Sequence, residues 1–332
     1  PTSATGTFAT DRWFLLCSVN GKVSVGQNLG STTPPTGFTK YLGVQTISAY
    51  TPLSADFFNV GQTIEGLNIT DLSWGTSTAK TITLSFVARS SIAGTFGGAV
   101  QNFAHSYSYP FSFSIPVANT WTTVELTIPG PTTGVWPTDN AGSVILVFSV
   151  GTGATYSGTA GAWVGGNIIA PTGVVPIVST SSATFYITGV QFEVGDSATP
   201  YQVQIYSDQL AQCQRYYYKG YFLNGWGSDQ ALFAGVITGL LQTPVPMRTT
   251  PTATGNVGSG GKLNFTDTTA NYAQATGGWS IISSSGQAAT SQYQSFTWTA
   301  GTFSSLTSYR PYIQSEYSGM PVDAPAILDA EF

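Results

Sequence analysis

His105 is the sole histidine of the chain and stands in Ala104-His105-Ser106-Tyr107-Ser108-Tyr109, ahead of Pro110. A nucleophilic triad needs a histidine between a nucleophile and an orienting carboxylate, so that chemistry would rest on this one residue. No G-x-S-x-G nucleophile elbow accompanies it. His105 therefore reads as a polar loop or strand-edge side chain, and a single histidine removes multi-histidine metal sites. Cys17 and Cys213 lie far apart and read as two free buried thiols, not as a disulfide framework. Gly258-Ser259-Gly260-Gly261-Lys262 has the look of a phosphate-cradling loop. It lacks the leading glycine, and Leu263 stands where serine or threonine is required. There is no complete G-x-G-x-x-G and no Asp-rich calcium loop. Glycoside hydrolysis needs two carboxyl groups facing one groove, about 5–10 Å apart. The chain has 15 acidic residues, and spacing distinguishes no pair. Asp11, Glu65, Glu193 and Glu331 adjoin apolar runs and are expected to be tied structurally. The expectation is a protein without catalysis, metal or cofactor.

Aromatic rings are the other chemical resource: 8 Trp, 17 Tyr and 19 Phe. Their apolar faces stack on sugar rings, while neighbouring Asn, Gln, Ser and Thr bond the hydroxyls. Most of the tryptophans are expected in a core, among them members of the first domain such as Trp74, Trp121, Trp136 and Trp163. The glycan-binding candidates are Trp226, Tyr272, Trp279, Tyr293 and Trp298, toward the C-terminal end.

The background against which these residues stand is nearly uncharged. Charged residues make up 8% of 332 and hydrophobic residues 42%, against about 25% charged in an ordinary soluble domain. Disorder requires the opposite balance. Coiled coils and bundles need Glu, Lys, Arg and Ala at helical period, and 38 Gly with 18 Pro interrupt long helices. The formal net charge is −5 with no run of Lys or Arg, which argues against nucleic acid as a partner and against a polybasic membrane patch. Apolar stretches such as Val144 to Phe148 and Ala234 to Leu241 fall short of the roughly 20 residues that span a bilayer, so no membrane insertion is expected.

Strands must position whatever site exists. Ile82, Leu84 and Phe86 alternate with Thr81, Thr83 and Ser85; Val124, Leu126 and Ile128 alternate with Thr123, Glu125 and Thr127. Period-two alternation buries one face and wets the other. Turn clusters such as Thr33-Pro34-Pro35-Thr36-Gly37 separate the runs, the pattern of a sandwich or jelly roll. In Ala183 to Val194 the apolar parity flips at Gly189, which predicts a β-bulge. Ser207 to Tyr218 is the one convincing helix, with Ser207 as N-cap and Leu210, Cys213 and Tyr217 on one face. The fold class is thus all-β: a jelly-roll/β-sandwich domain over residues 1–203, a connecting helix over 204–219, and a second, smaller β-sandwich domain over 220–332. No fixed-period repeat is present, which argues against a solenoid or propeller.

Several blocks, in order, resemble a family of bacteriophage tail-fibre and virion structural proteins. They are Thr10-Asp11-Arg12-Trp13-Phe14, Gly61-Gln62-Thr63-Ile64-Glu65-Gly66 and Leu84 to Ser91. Ile187 to Gly195, Leu210 to Tyr217, Pro244-Val245-Pro246-Met247-Arg248 and the terminal Asp329-Ala330-Glu331 follow. The resemblance spans nearly the whole chain. It implies a jelly-roll module similar to carbohydrate-binding domains, a position on the exterior of the virion, and a homotrimer. The trimer would pack Leu210, Cys213 and Tyr217 around a threefold axis. Family members commonly begin with a segment ahead of the first block, so an N-terminal anchor to other virion proteins is expected upstream. The function implied is a fibre or spike that binds host-surface glycans during adsorption. A head fibre or capsid decoration protein that binds no receptor is the alternative, and a polysaccharide depolymerase the second alternative.

Overall fold

The computed structural model describes residues 1–10, 12–218 and 243–249 with their side chains, and elsewhere the backbone of the strands only. The chain divides into two compact units, Pro1–Val203 and Gln204–Glu331.

The first unit is an all-β sandwich of jelly-roll type. Its strands are β1 (Thr7–Thr10), β2 (Trp13–Cys17), β3 (Val23–Gln27), β4 (Leu42–Thr46), β5 (Phe57–Glu65), β6 (Ile82–Ser90) and β7 (Gly94–Asn102). They continue as β8 (Tyr107–Ile115), β9 (Thr122–Ile128), β10 (Gly142–Thr152), β11 (Ser157–Gly158), β12 (Val164–Gly165), β13 (Ala170–Pro171) and β14 (Thr184–Val194). One sheet has the order β1-β2-β5-β10-β7-β8-β12, the other β3-β4-β14-β6-β9. The alternating strands behave as their period dictates. Ile82, Leu84, Phe86 and Ala88 of β6 are buried in the core between the sheets, while Ser85, Val87 and Arg89 are half-buried on the outer face. Phe148 of β10 lies at the centre of that core, fully buried, with the rings of Phe86, Phe111 and Phe185 at 5.0, 5.9 and 6.4 Å.

The strand β10 departs from simple alternation. Val144, Leu146, Phe148 and Val150 face the main core, and Ile145 and Val147 form a second apolar cluster with Ala99 and Ile169. Phe14, Phe57 and Tyr156 close that cluster. Both faces of the strand are dry, so its sequence is a continuous apolar run.

The bulge at Gly189 is present. β14 pairs with β6 in register up to Thr188, slips, and resumes at Gln191. Gly189 has φ +59, in the left-handed region, and a Cβ there would stand 2.5 Å from the ring of Phe38. Only glycine meets both conditions.

In the second unit the helix α1 spans Tyr206–Gln214, shorter than the sequence pattern suggests. Ile205 occupies the cap position without a side-chain cap, and Ser207 lies inside the first turn, its hydroxyl on Asp208 at 3.3 Å. Tyr217 is not helical. It opens a strand, Tyr217–Gly220, paired with Ala326–Asp329. Three consecutive tyrosines favour a pleated strand over a helix, and the apolar partner Ile327-Leu328 supplies the pairing that local helix periodicity does not reveal. Among the described residues this pairing belongs to a three-stranded sheet, and further strands of the unit form a four-stranded and another three-stranded sheet.

Candidate functional site

The outer faces of the two sheets differ in what they leave open. On the seven-stranded sheet, residues 153–172 form a roof. Tyr156 and Ile169 sit in the second apolar cluster, and a Cβ at Gly97 would meet Pro171 at 2.6 Å. A Cβ at Gly61 would meet the ring of Phe14, on the neighbouring strand β2, at 2.9 Å.

The five-stranded sheet is covered over its central strand β14 and, at the Trp121 end, across to the edge strand β9. Register places three rows across β14, β6 and β9. Tyr186 pairs with Arg89 in the first row, beside Trp121 just ahead of β9. Thr188, Val87 and Thr123 form the second row; Gln191, Ser85 and Glu125 form the third. Residues 29–41 cover the central strand β14: Thr188 donates its hydroxyl to the Lys40 carbonyl at 2.7 Å, and Phe38 lies over Gly189. The segment after β14 covers the third row. There Glu125 accepts the Ala198 N–H at 2.6 Å, and Gln191 accepts the Gln202 N–H at 3.3 Å. Phe38 and Tyr201 meet at 5.0 Å where the two covers join. Between them a strip remains open, with Val87 and Arg89 half-buried and Thr123 exposed.

Trp121 and Arg89 dominate the upper end of this strip. The Trp121 indole N–H donates to the Thr33 carbonyl at 3.0 Å, and its ring meets Tyr41 at 5.7 Å and Tyr186 at 6.2 Å. Three contacts therefore fix a half-buried ring before any ligand arrives, which lowers the ordering cost of binding. The Arg89 Nε donates to the Asn119 carbonyl at 2.9 Å, and the guanidinium lies over the Tyr186 ring at 5.6 Å. Its terminal nitrogens have no hydrogen-bond partner among the described residues and are not buried.

Glu193 and Asp56 are occupied as structural clamps. Glu193 accepts Thr199 N–H and O–H at 2.9 and 2.7 Å and Gln191 Nε2 at 2.7 Å. The Thr199 hydroxyl above all holds its pKa below the usual carboxylate range. Asp56 accepts Leu53 N–H, Tyr50 O–H and Ser18 O–H, each at 2.8 Å, which holds its pKa down as well. Glu65 is 1% exposed. Asp11 and Glu331 lie outside the described residues. Among the described residues no group of three or more His, Cys, Asp or Glu is placed to hold a metal ion.

His105 occupies the tip of the β7–β8 hairpin with φ 52. Its Nδ1 is 3.4 Å from Gln101 Oε1, and Gln101 Nε2 in turn reaches Asn167 Oδ1 at 2.8 Å. The residue is exposed overall, yet its ring is enclosed enough for desolvation to push its pKa below the usual value. Cys17 is buried and its thiol pKa is pushed up by burial; Cys213 is half-buried, and neither is in a disulfide.

The remaining residues singled out by sequence are dispersed. Trp74 and Trp136 are buried and meet edge-on at 4.9 Å, with Trp163 at 5.7 and 5.5 Å. Their indole N–H groups donate to Lys80, Thr133 and Pro129 carbonyls, so this cluster closes the edge of the sandwich. Trp226, Tyr293 and Trp298 fall on strands of one four-stranded sheet, the latter two on the same strand Tyr293–Thr299 at opposite parity. Tyr272 belongs to a different sheet, opposite Phe265, and Trp279 lies outside the described residues. Leu210 and Tyr217 are exposed and Cys213 is half-buried. Tyr206, which the sequence reading passes over, shares the helical face of Leu210 and Cys213 at i, i+4 and i+7 and is 75% exposed. Arg89 alternates with the core positions of β6, so parity places it on the outer face, while its place beside Trp121 comes only from strand pairing.

No family model and no curated protein matches the chain. Among solved structures, it is similar to the enzymatically active domain of tailspike protein 4 of bacteriophage CBA120. Identity is 14% and the TM-score 0.33, over 57% of this chain and 20% of that chain. It is also similar to a family 11 carbohydrate-binding module from Clostridium thermocellum in complex with a mixed-linked tetrasaccharide (15% identity, TM-score 0.30, 58% of this chain and 95% of that one). A third is a putative sugar binding protein from Bacteroides thetaiotaomicron (12% identity, TM-score 0.33, 59% of this chain and 94% of that one). The match thus spans only a fifth of the tailspike's length.

Proposed function

We propose that the chain is a trimeric fibre or spike on the exterior of a phage particle and binds host-surface polysaccharide without catalysis. The observation that carries the glycan reading is the open strip of the five-stranded sheet. There the pre-fixed indole of Trp121 adjoins the unpartnered end of Arg89 and the hydroxyl of Thr123. A flat ring beside convergent hydrogen-bonding groups is the combination that holds a pyranose. The virion assignment rests on the ordered sequence blocks that resemble fibre proteins, and the trimer on the same resemblance together with the exposed Tyr206, Leu210 and Tyr217. The C-terminal aromatics, Trp226, Tyr272, Trp279, Tyr293 and Trp298, are kept as a second set of binding candidates.

The test is binding of the full chain to an array of bacterial surface polysaccharides. Capture of at least one class, lost in Trp121→Ala with the fold retained, is the expected result. No capture of any class overturns the glycan reading. A decoration protein without a receptor then becomes the better account, consistent with three tryptophans of the first unit serving to close the sandwich.

A further inference from the structure

The strip has a polarity that identifies the kind of sugar it takes. We infer that it recognises an acidic glycan, one that carries a carboxylate such as a uronate, with that carboxylate on the Arg89 guanidinium and the sugar ring on Trp121. This rests on the glycan reading above and specifies its ligand.

Arg89 is held in place at two points, by its Nε bond to the Asn119 carbonyl and by the ring of Tyr186 beneath its plane. Tyr186 itself is 2% exposed and packs against Tyr41 at 4.9 Å, so the platform under the guanidinium is rigid. The Nη groups are left over, unburied and without a partner among the described residues. A planar fork in that state matches a carboxylate in bidentate fashion. Trp121 stands beside it in the same row, so a ring stacked on the indole brings a substituent to the fork.

The opposite end carries the opposite charge. Glu125 lies two rows away on β9 with one oxygen on the Ala198 N–H. Glu193, on β14, is fully engaged by Gln191 and Thr199. An acidic sugar is therefore attracted at the Trp121 end and repelled at the Glu125 end, which sets its direction. A neutral sugar would leave the guanidinium fork without a counter-charge.

The experiment uses the full chain on polysaccharides that contain uronate or sialate, each offered native and after reduction of its carboxyl groups, beside neutral glucans and galactans. The acidic forms are expected to bind about ten- to a hundredfold more tightly than their reduced forms, the range for one charge-assisted contact. That preference falls as salt rises. Arg89→Gln removes the preference. Arg89→Lys, which keeps the charge but not the fork, recovers only part of it. Thermal unfolding of each variant separates loss of recognition from loss of fold. If the captured glycans are neutral only, or if carboxyl reduction leaves binding unchanged, the inference is overturned while glycan binding stands. If no glycan is captured, both fail together.

Discussion

Gly189→Ala tests the link between the bulge and the cover of the strip. Two costs follow from the geometry. Alanine at φ +59 is held in the left-handed region, at a cost of roughly 1–2 kcal/mol. Its Cβ would also stand 2.5 Å from Phe38 Cζ and 2.7 Å from Cε1, a separation that forces the ring to move. Overpacking of this kind costs about 1–3 kcal/mol. The expected destabilisation is about 2–5 kcal/mol, a large part of the 5–15 kcal/mol typical of a domain. Urea unfolding followed by tryptophan fluorescence reads it out, since Trp13, Trp74, Trp121, Trp136 and Trp163 all belong to the first unit. Phe38→Ala in the Gly189→Ala background removes the clash but not the backbone strain. A double-mutant cycle should therefore show a favourable coupling of about 1–3 kcal/mol. Additive effects would refute the ring contact, and an unchanged midpoint for Gly189→Ala would refute the left-handed bulge itself.

Trp121→Ala should weaken glycan binding at least tenfold. It should lower the melting temperature by about 2–12 °C without abolishing the fold, because one hydrogen bond and two ring contacts are worth about 1–3 kcal/mol together; calorimetry of both quantities checks the separation. Phe148→Ala, at the fully buried centre of the core, should cost about 3–5 kcal/mol, measured as the shift in urea midpoint. The folded pKa of Asp56 lies below its unfolded value. Its stabilising contribution is therefore present above the unfolded pKa of about 3.9 and is lost as pH falls through the folded value. Asp56→Asn should melt earlier than the wild type at neutral pH, and the gap should close in acid; a gap independent of pH would count against the clamp. Sedimentation should find the full chain trimeric and Leu210→Asp dissociated; a monomeric wild type would remove the trimer.

The strands of the first unit were readable because a half-wet sheet imprints period two on its sequence. The alternation Ile82, Leu84, Phe86 and the parity flip at Gly189 both appear as pairings in the structure. The double burial of β10 was less legible. An apolar run states that a strand is dry on both sides but not that residues 153–172 are its cover, because that roof is assembled from Tyr156 and Ile169 across a loop. The helix was placed well at its start and too long at its end. Tyr217 keeps helical phase with Leu210 and Cys213, yet its pairing partner Asp329 is more than a hundred residues away. The site escaped for a similar reason. Trp121 looked like one more core tryptophan, and only the pairing of β6 with both β9 and β14 brings it beside Arg89 and Tyr186.

That juxtaposition explains why the outer face of the five-stranded sheet, and not its counterpart, is the place to look for a ligand. The seven-stranded sheet carries Gly61, Gly97 and Ala99 where Phe14, Pro171 and Ile169 approach it. Small residues there let the roof settle directly on the backbone, and a closed apolar interface has no room for a hydrated polymer. On the other sheet the open positions Val87, Arg89 and Thr123 lie on β6 and the edge strand β9, where a roof would leave Arg89 buried and unpaired, which is costly. The covers therefore stop short of this strip and fasten to the Thr188 hydroxyl and to Glu125, Gln191 and Glu193. In a chain with only 10 basic residues, a guanidinium fixed by an aromatic floor and left open at its tip is the feature for which packing alone gives no account. A ligand with a matching carboxylate gives one.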